Sequence, residues 1–170
     1  MKLCTLAALA LCAIPSVFAS AQAKQTFPDA VYAPLWNYNG TWTVNIPGRP
    51  ADTLINHCTR PGLFFVCEQN VNGSTAALVV FIPLDADGHY RTSPIQKDGT
   101  AIGPGDLEIK GNHWTFIGKS EDGGKVTWYR TTNDFTDDSH IHFEQSQSTD
   151  KTHWDVQRTG NEVRTDKGTK

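Results

Sequence analysis

The sequence predicts an all-β fold, a single antiparallel up-and-down barrel of about eight to ten strands, and three hairpins carry most of that prediction. Gly111-Asn112 separates the runs 107–110 and 113–116. A two-residue loop there sets Leu107 opposite Phe116 and Ile109 opposite Trp114, so one face is apolar and the other, with Glu108, Lys110, His113 and Thr115, is polar. Near the end of the chain, the turn Ser148-Thr149-Asp150-Lys151 is expected to pair Gln147 with Thr152, Phe143 with Val156 and Ile141 with Arg158, again with one apolar face. The third hairpin turns at Asn72-Gly73, the strongest short-range turn signal in the chain. Its expected register pairs Phe65 with Val80 and Phe64 with Phe81, leaving both faces apolar.

The remaining elements follow in order. Residues 1–23 read as a secretory signal: Lys2 is the positive flank, 6–17 the apolar stretch, and Ala19-Ser20-Ala21 and Ala21-Gln22-Ala23 offer small residues for cleavage. The mature protein is therefore expected in the periplasm or secreted, without a membrane span. Residues 24–39 contain Pro28 and Pro34 and form a lead-in without a strand period. Strands are expected at 40–45, 53–58, 63–71, 75–82, 90–95, 106–110, 113–118, 126–132, 140–147 and 152–158, and nowhere does a helical period persist. The barrel domain is placed at 40–160, with a polar, frayed tail at 161–170.

Composition narrows the functional classes. The formal charge is −3, or about −4 once Lys2 is removed, and the basic residues are scattered. No stripe of positive charge marks a nucleic-acid binder, and nucleic acid is not an expected partner. After cleavage the remaining cysteines are Cys58 and Cys67, flanking Arg60-Pro61-Gly62, and an exported chain is expected to bridge them. Their spacing is not that of a Cys-x-x-Cys redox pair.

Tyr38-Asn39-Gly40-Thr41-Trp42 resembles the Gly-x-Trp signature of the lipocalins and the wider calycin superfamily. That resemblance implies a barrel in which Trp42 plugs one end and an arginine of the final strand lies across its ring, the best match being Arg158. Thr43 stands where the family usually has an aromatic residue, and Thr132-Asn133-Asp134-Phe135 only loosely matches its second motif.

The candidate site comes from Val126-Thr127-Trp128-Tyr129-Arg130. If Val126, Trp128 and Arg130 point inward beside Trp114, a guanidinium sits among indoles and needs an acceptor, either an internal carboxylate such as Glu68 or the acid group of a ligand. The ligand reading places a small amphipathic acid with its body on Trp114, Phe116, Trp128, Phe143 and Trp154 and its head on Arg130. An interior completely filled by these side chains is the competing reading. His140, His142, Glu144, His153 and Asp155 are expected to face outward, so neither a metal nor any other cofactor is expected. No Gly-x-Ser-x-Gly elbow is present, and an enzyme would need a single inward acid, Glu68 or Asp52 being candidates. Three functions stay open: a non-catalytic binder of a small apolar or amphipathic molecule, which leads; a barrel-type cyclase or isomerase; and an envelope interaction protein, for which the doubly apolar hairpin from Leu63 to Ile82 could serve as a homodimer contact.

Overall fold

The computed structural model describes residues 26–168; the expected signal segment and the last two residues lie outside them. Ten strands form: β1 (Gly40–Asn45), β2 (Asp52–Thr59), β3 (Phe65–Val71), β4 (Ser74–Pro83), β5 (His89–Gln96), β6 (Gly105–Lys110), β7 (His113–Asp122), β8 (Lys125–Asp137), β9 (His140–Ser148) and β10 (Asp155–Asp166). Each pairs antiparallel with its sequence neighbours, and β1 pairs with β10, so the sheet closes into one barrel. Closure removes the exposed strand edges that an open sheet would present. No helix among the described residues is long and apolar enough to cross a membrane.

One end of the barrel is closed by the lead-in. Pro34 sits in the first turn of the second of two short 3-10 helices, Asp29–Tyr32 and Pro34–Tyr38, where its missing N–H costs nothing. Tyr32 and Leu35 are fully buried, and Trp36 meets Phe65 edge-on with ring centres 4.8 Å apart. The buried hydroxyls find acceptors: Tyr32 donates to the Leu63 carbonyl at 2.9 Å and Tyr90 to the Val31 carbonyl at 2.6 Å. The lead-in thus enters the closed end of the barrel and does not cover the outer face of the 63–82 hairpin.

Trp42 is fully buried in this plug, and its indole N–H donates to the Tyr38 carbonyl at 3.0 Å. The arginine across its ring is Arg164, 4.3 Å from the ring centre, and its guanidinium also donates to the Asn37 carbonyl. Arg158, the residue expected there, lies at the other end of the barrel. The reason is that β10 continues to Asp166, well into the segment expected to be a frayed tail, and pairs Trp42 with Arg164.

The hairpin at Gly111-Asn112 pairs Leu107 with Phe116 and Ile109 with Trp114, as the turn dictates. The hairpin at Asn72-Gly73 starts in its expected register but shifts between Gln69 and Asn70, so Phe65 faces Phe81 and both rings turn inward. Phe64 and Ile82 are left exposed on the outer wall. The final hairpin differs more. Ser148 Oγ accepts from the N–H groups of Asp150 and Lys151, and Asp150 Oδ1 accepts from those of Thr152 and His153. These side-chain bonds hold a longer loop, and pairing resumes with Gln147 opposite Asp155, Gln145 opposite Arg158 and Phe143 opposite Gly160. Phe143 packs against Gly160, where an added Cβ would stand 2.6 Å from the ring.

Cys58 and Cys67 face each other on β2 and β3 and form the expected disulfide, with Cα atoms 4.1 Å apart. Closing so short a loop contributes about 2–3 kcal/mol in the chain-entropy account.

Candidate functional site: the barrel interior

The inner face alternates along each strand, and the decisive register is that of β7 and β8. Gly123 and Gly124 have φ of +55° and +79° and form a two-residue loop that pairs Asp122 with Lys125. Residues directly opposite each other share a face, so Phe116 brings Thr131 inward and Trp114 brings Asn133 inward. Val126, Trp128 and Arg130 therefore belong to the outer wall, and their expected inward orientation is corrected.

On that wall Arg130 stacks on Trp154 at 4.5 Å, donates to Ser146 Oγ at 3.2 Å and approaches Glu144 at 3.5 Å. Trp128 is covered by the Lys151 and Lys119 ammonium groups, 3.6 and 5.8 Å from its ring centre. The structure thus gathers Trp128, Arg130 and Trp154 together, but outside the barrel. Replacing Arg130 by Met is expected to leave binding in the interior unchanged, and a titration of the variant with an interior ligand, followed by calorimetry, checks this.

Above the plug the interior opens into two adjoining lobes. The first, about 340 Å³, is lined by Val44, Ile46, Leu54, Val71, Phe143 and Glu162, with Asp52, Gln145 and Arg158 also contributing. The second, about 410 Å³, runs along Asn56, Ala77, Val79, Phe81, Pro94 and Phe116. Tyr38, Gln69 and Thr131 belong to both. Phe116 and Phe143 thus line the cavity as expected of inward residues. Trp114, only 1% exposed, lies deeper and meets Tyr38 edge-on at 4.9 Å.

Tyr38 is the centre of the floor. Its ring also approaches Phe116 and Phe135, and its hydroxyl accepts from the Asn133 amide. Burial, reinforced by the nearby Glu162, pushes this phenol well above its ordinary pKa. Glu162 itself, opposite Val44 and Ile141 on the neighbouring strands, is pushed up to about 7 by burial. Neither Tyr38, in the lead-in, nor Glu162, in the supposed tail, was flagged by the sequence pattern. The parity set by Gly123-Gly124 was the signal that could have brought Asn133 and Thr131 in.

Three buried polar atoms of cavity-lining residues have no protein partner: Asn56 Nδ2, Asn133 Oδ1 and Glu162 Oε2. Natural folds rarely leave such groups unpaired, so the interior holds unused hydrogen-bonding capacity. Glu68 is exposed on the outside of β3, and Asp52 stands at the rim. The histidines His140, His142 and His153 contact Asp137, Asn161 and Asp150 on the outside. Among the described residues no three His, Cys, Asp or Glu side chains converge as a metal site would require.

Fold and interior together define a closed ten-stranded antiparallel β-barrel with one plugged end and a partly polar cavity. No protein-family model matches the chain, and no curated protein matches it significantly.

Proposed function

We propose that this is an exported, calycin-like barrel that holds a small amphipathic molecule non-covalently in its interior. The observation that carries the reading is the pair of adjoining lobes, mostly apolar in lining and supplied with a few polar groups, above an end plugged by aromatic packing. The disulfide supports an oxidising compartment. A filled barrel with all inner space taken by side chains does not match these volumes.

A second reading has its own observation. Glu162 is an inward carboxyl with a raised pKa beside a partly buried tyrosine, the feature a proton-transferring isomerase or cyclase would need. The exposed Phe64, Ile82 and Leu84 support the contact-surface reading less strongly, since isolated apolar side chains are ordinary on a protein surface.

A native mass spectrum of the mature protein, purified from its own envelope without detergent, tests the leading reading. An added mass that disappears on denaturation is the expected result. A bare monomer whose tryptophan emission also ignores amphipathic probes would contradict it.

A further inference from the structure

We propose that the molecule held in the interior carries a basic nitrogen, an alkyl or aryl-alkyl amine, whose ammonium group seats on the Glu162 carboxyl. This rests on the interior-binding reading and names the ligand class for it.

The argument starts from the charges that line the cavity. Of the carboxylates there, Asp52 stands at the rim at the start of β2, while Glu162 lies inside, between Val44 of β1 and Ile141 of β9. Among the described residues no Lys, Arg or His forms an ion pair with Glu162, and no donor reaches its Oε2. Neither arginine of its own strand forms an ion pair with it: the arginine ion pairs among the described residues belong to Arg60, Arg91 and Arg130, and Arg164 Nε is itself without a partner. Arg164 lies over Trp42 and donates to the Asn37 carbonyl, and Arg158 is exposed at the mouth with its Nε donating to Gln145 Oε1 at 2.5 Å. From the floor Tyr38 faces Glu162 and its hydroxyl accepts a bond from Asn133, but no hydrogen bond joins the phenol to the carboxyl.

A largely buried carboxyl without a partner lowers the stability of the fold and gains nothing from it. A cationic head that enters the lobe supplies the missing partner. An ammonium group offers three donors, enough to bridge Glu162 and a neighbouring acceptor such as Asn133 Oδ1, whose lone pairs are also unused. The Tyr38 and Phe143 rings beside it provide faces favourable to a cation. The apolar tail then extends over Val79, Phe81 and Phe116 in the second lobe. A carboxylic acid of the same length would bring a second negative charge beside Glu162, so the site discriminates against the class of ligand that the Arg130 pattern suggested. The raised pKa of Glu162 fits this account, since it records the same lack of a compensating cation.

The test compares n-octylamine, 1-octanol and octanoate at neutral pH by calorimetry, on the full mature protein and on Glu162→Gln and Glu162→Asp. The expected result is that octylamine binds about tenfold or more tightly than octanol, and octanoate most weakly. Glu162→Gln should abolish the amine preference while octanol binding stays within about twofold, and Glu162→Asp, which keeps the charge, should retain the preference. Octanoate binding as tightly as octylamine, or an amine preference that survives in Glu162→Gln, would overturn the inference while leaving interior binding intact. Failure of all three probes to bind the wild-type protein would overturn the interior reading and the inference with it.

Discussion

Trp42→Ala is expected to lower stability by about 3–5 kcal/mol, the range for removing a fully buried tryptophan from a well-packed core. The loss has three parts. The indole body leaves a cavity under the lead-in, the Tyr38 carbonyl loses its donor, and Arg164 loses the ring it lies across. Since a domain of this size is stable by only about 5–15 kcal/mol in total, the variant should be marginal in urea titrations at room temperature. Trp42→Phe keeps much of the packing and removes the indole N–H, so it should cost markedly less. Equal losses in the two variants would mean that the hydrogen bond to Tyr38, and not the packing, holds the plug.

Glu162→Gln is expected to stabilise the protein at alkaline pH and to change little in acid. The sign follows from the proton balance. The folded carboxyl titrates at about 7, and the unfolded one at its ordinary value of 4.5, so the unfolded chain gives up its proton first. The stabilising contribution of the neutral form is fully present below 4.5 and is lost as pH rises through 7. At 1.36 kcal/mol per pH unit the total is about 3 kcal/mol. Acids held below their usual range by neighbouring donors, among them Asp85, Glu108, Asp137 and Asp150, act in the opposite direction and lose stability as pH falls. Subtracting the variant's pH profile from that of the wild type cancels them. The difference should fall between pH 4.5 and 7, by about 3 kcal/mol in all, and then level off; a flat difference would mean that Glu162 is already paired in solution.

How far the molecule was legible in its sequence can be seen hairpin by hairpin. Gly111-Asn112 is a two-residue turn with no irregularity beside it, and its register followed from the turn alone. At Asn72-Gly73 the turn was equally clear, but the shift between Gln69 and Asn70 changed which aromatics meet, and no residue type announces such a bulge. At Gly123-Gly124 the loop length was readable and decisive. Treating it as two residues puts odd-numbered positions of β8 inside, which moves Arg130 and Trp128 to the outer wall. The last hairpin was set by the side chains of Ser148 and Asp150 satisfying loop N–H groups, a tertiary detail that a simple four-residue turn does not capture.

The site was harder to read for a physical reason. A strand packed against a solid core shows apolar residues inside and polar ones outside, and that alternation is what makes it visible. In β10 the inward residues are Arg158, Gly160, Glu162 and Arg164, while Val163 lies on the opposite face. The pattern is inverted because this wall faces a cavity and the Trp42 ring, so the hydrophobic pattern ends the strand at 158 and leaves 161–166 in the tail. Phe116 and Phe143, on strands with ordinary alternation, were placed correctly on the inner face. The polar groups that distinguish a binding cavity from a core are the ones that hide its walls from a hydrophobic pattern.

The central claim is that ligand binds inside the barrel, and methyl NMR during titration with n-octylamine and 1-octanol tests it most directly. The interior account predicts shifts concentrated in the methyl groups of Val44, Ile46, Leu54, Val71 and Val79, which line the two lobes. Perturbation confined to the outer wall, at Val66, Val80, Ile82 and Leu84, with the interior methyls unmoved, would contradict it.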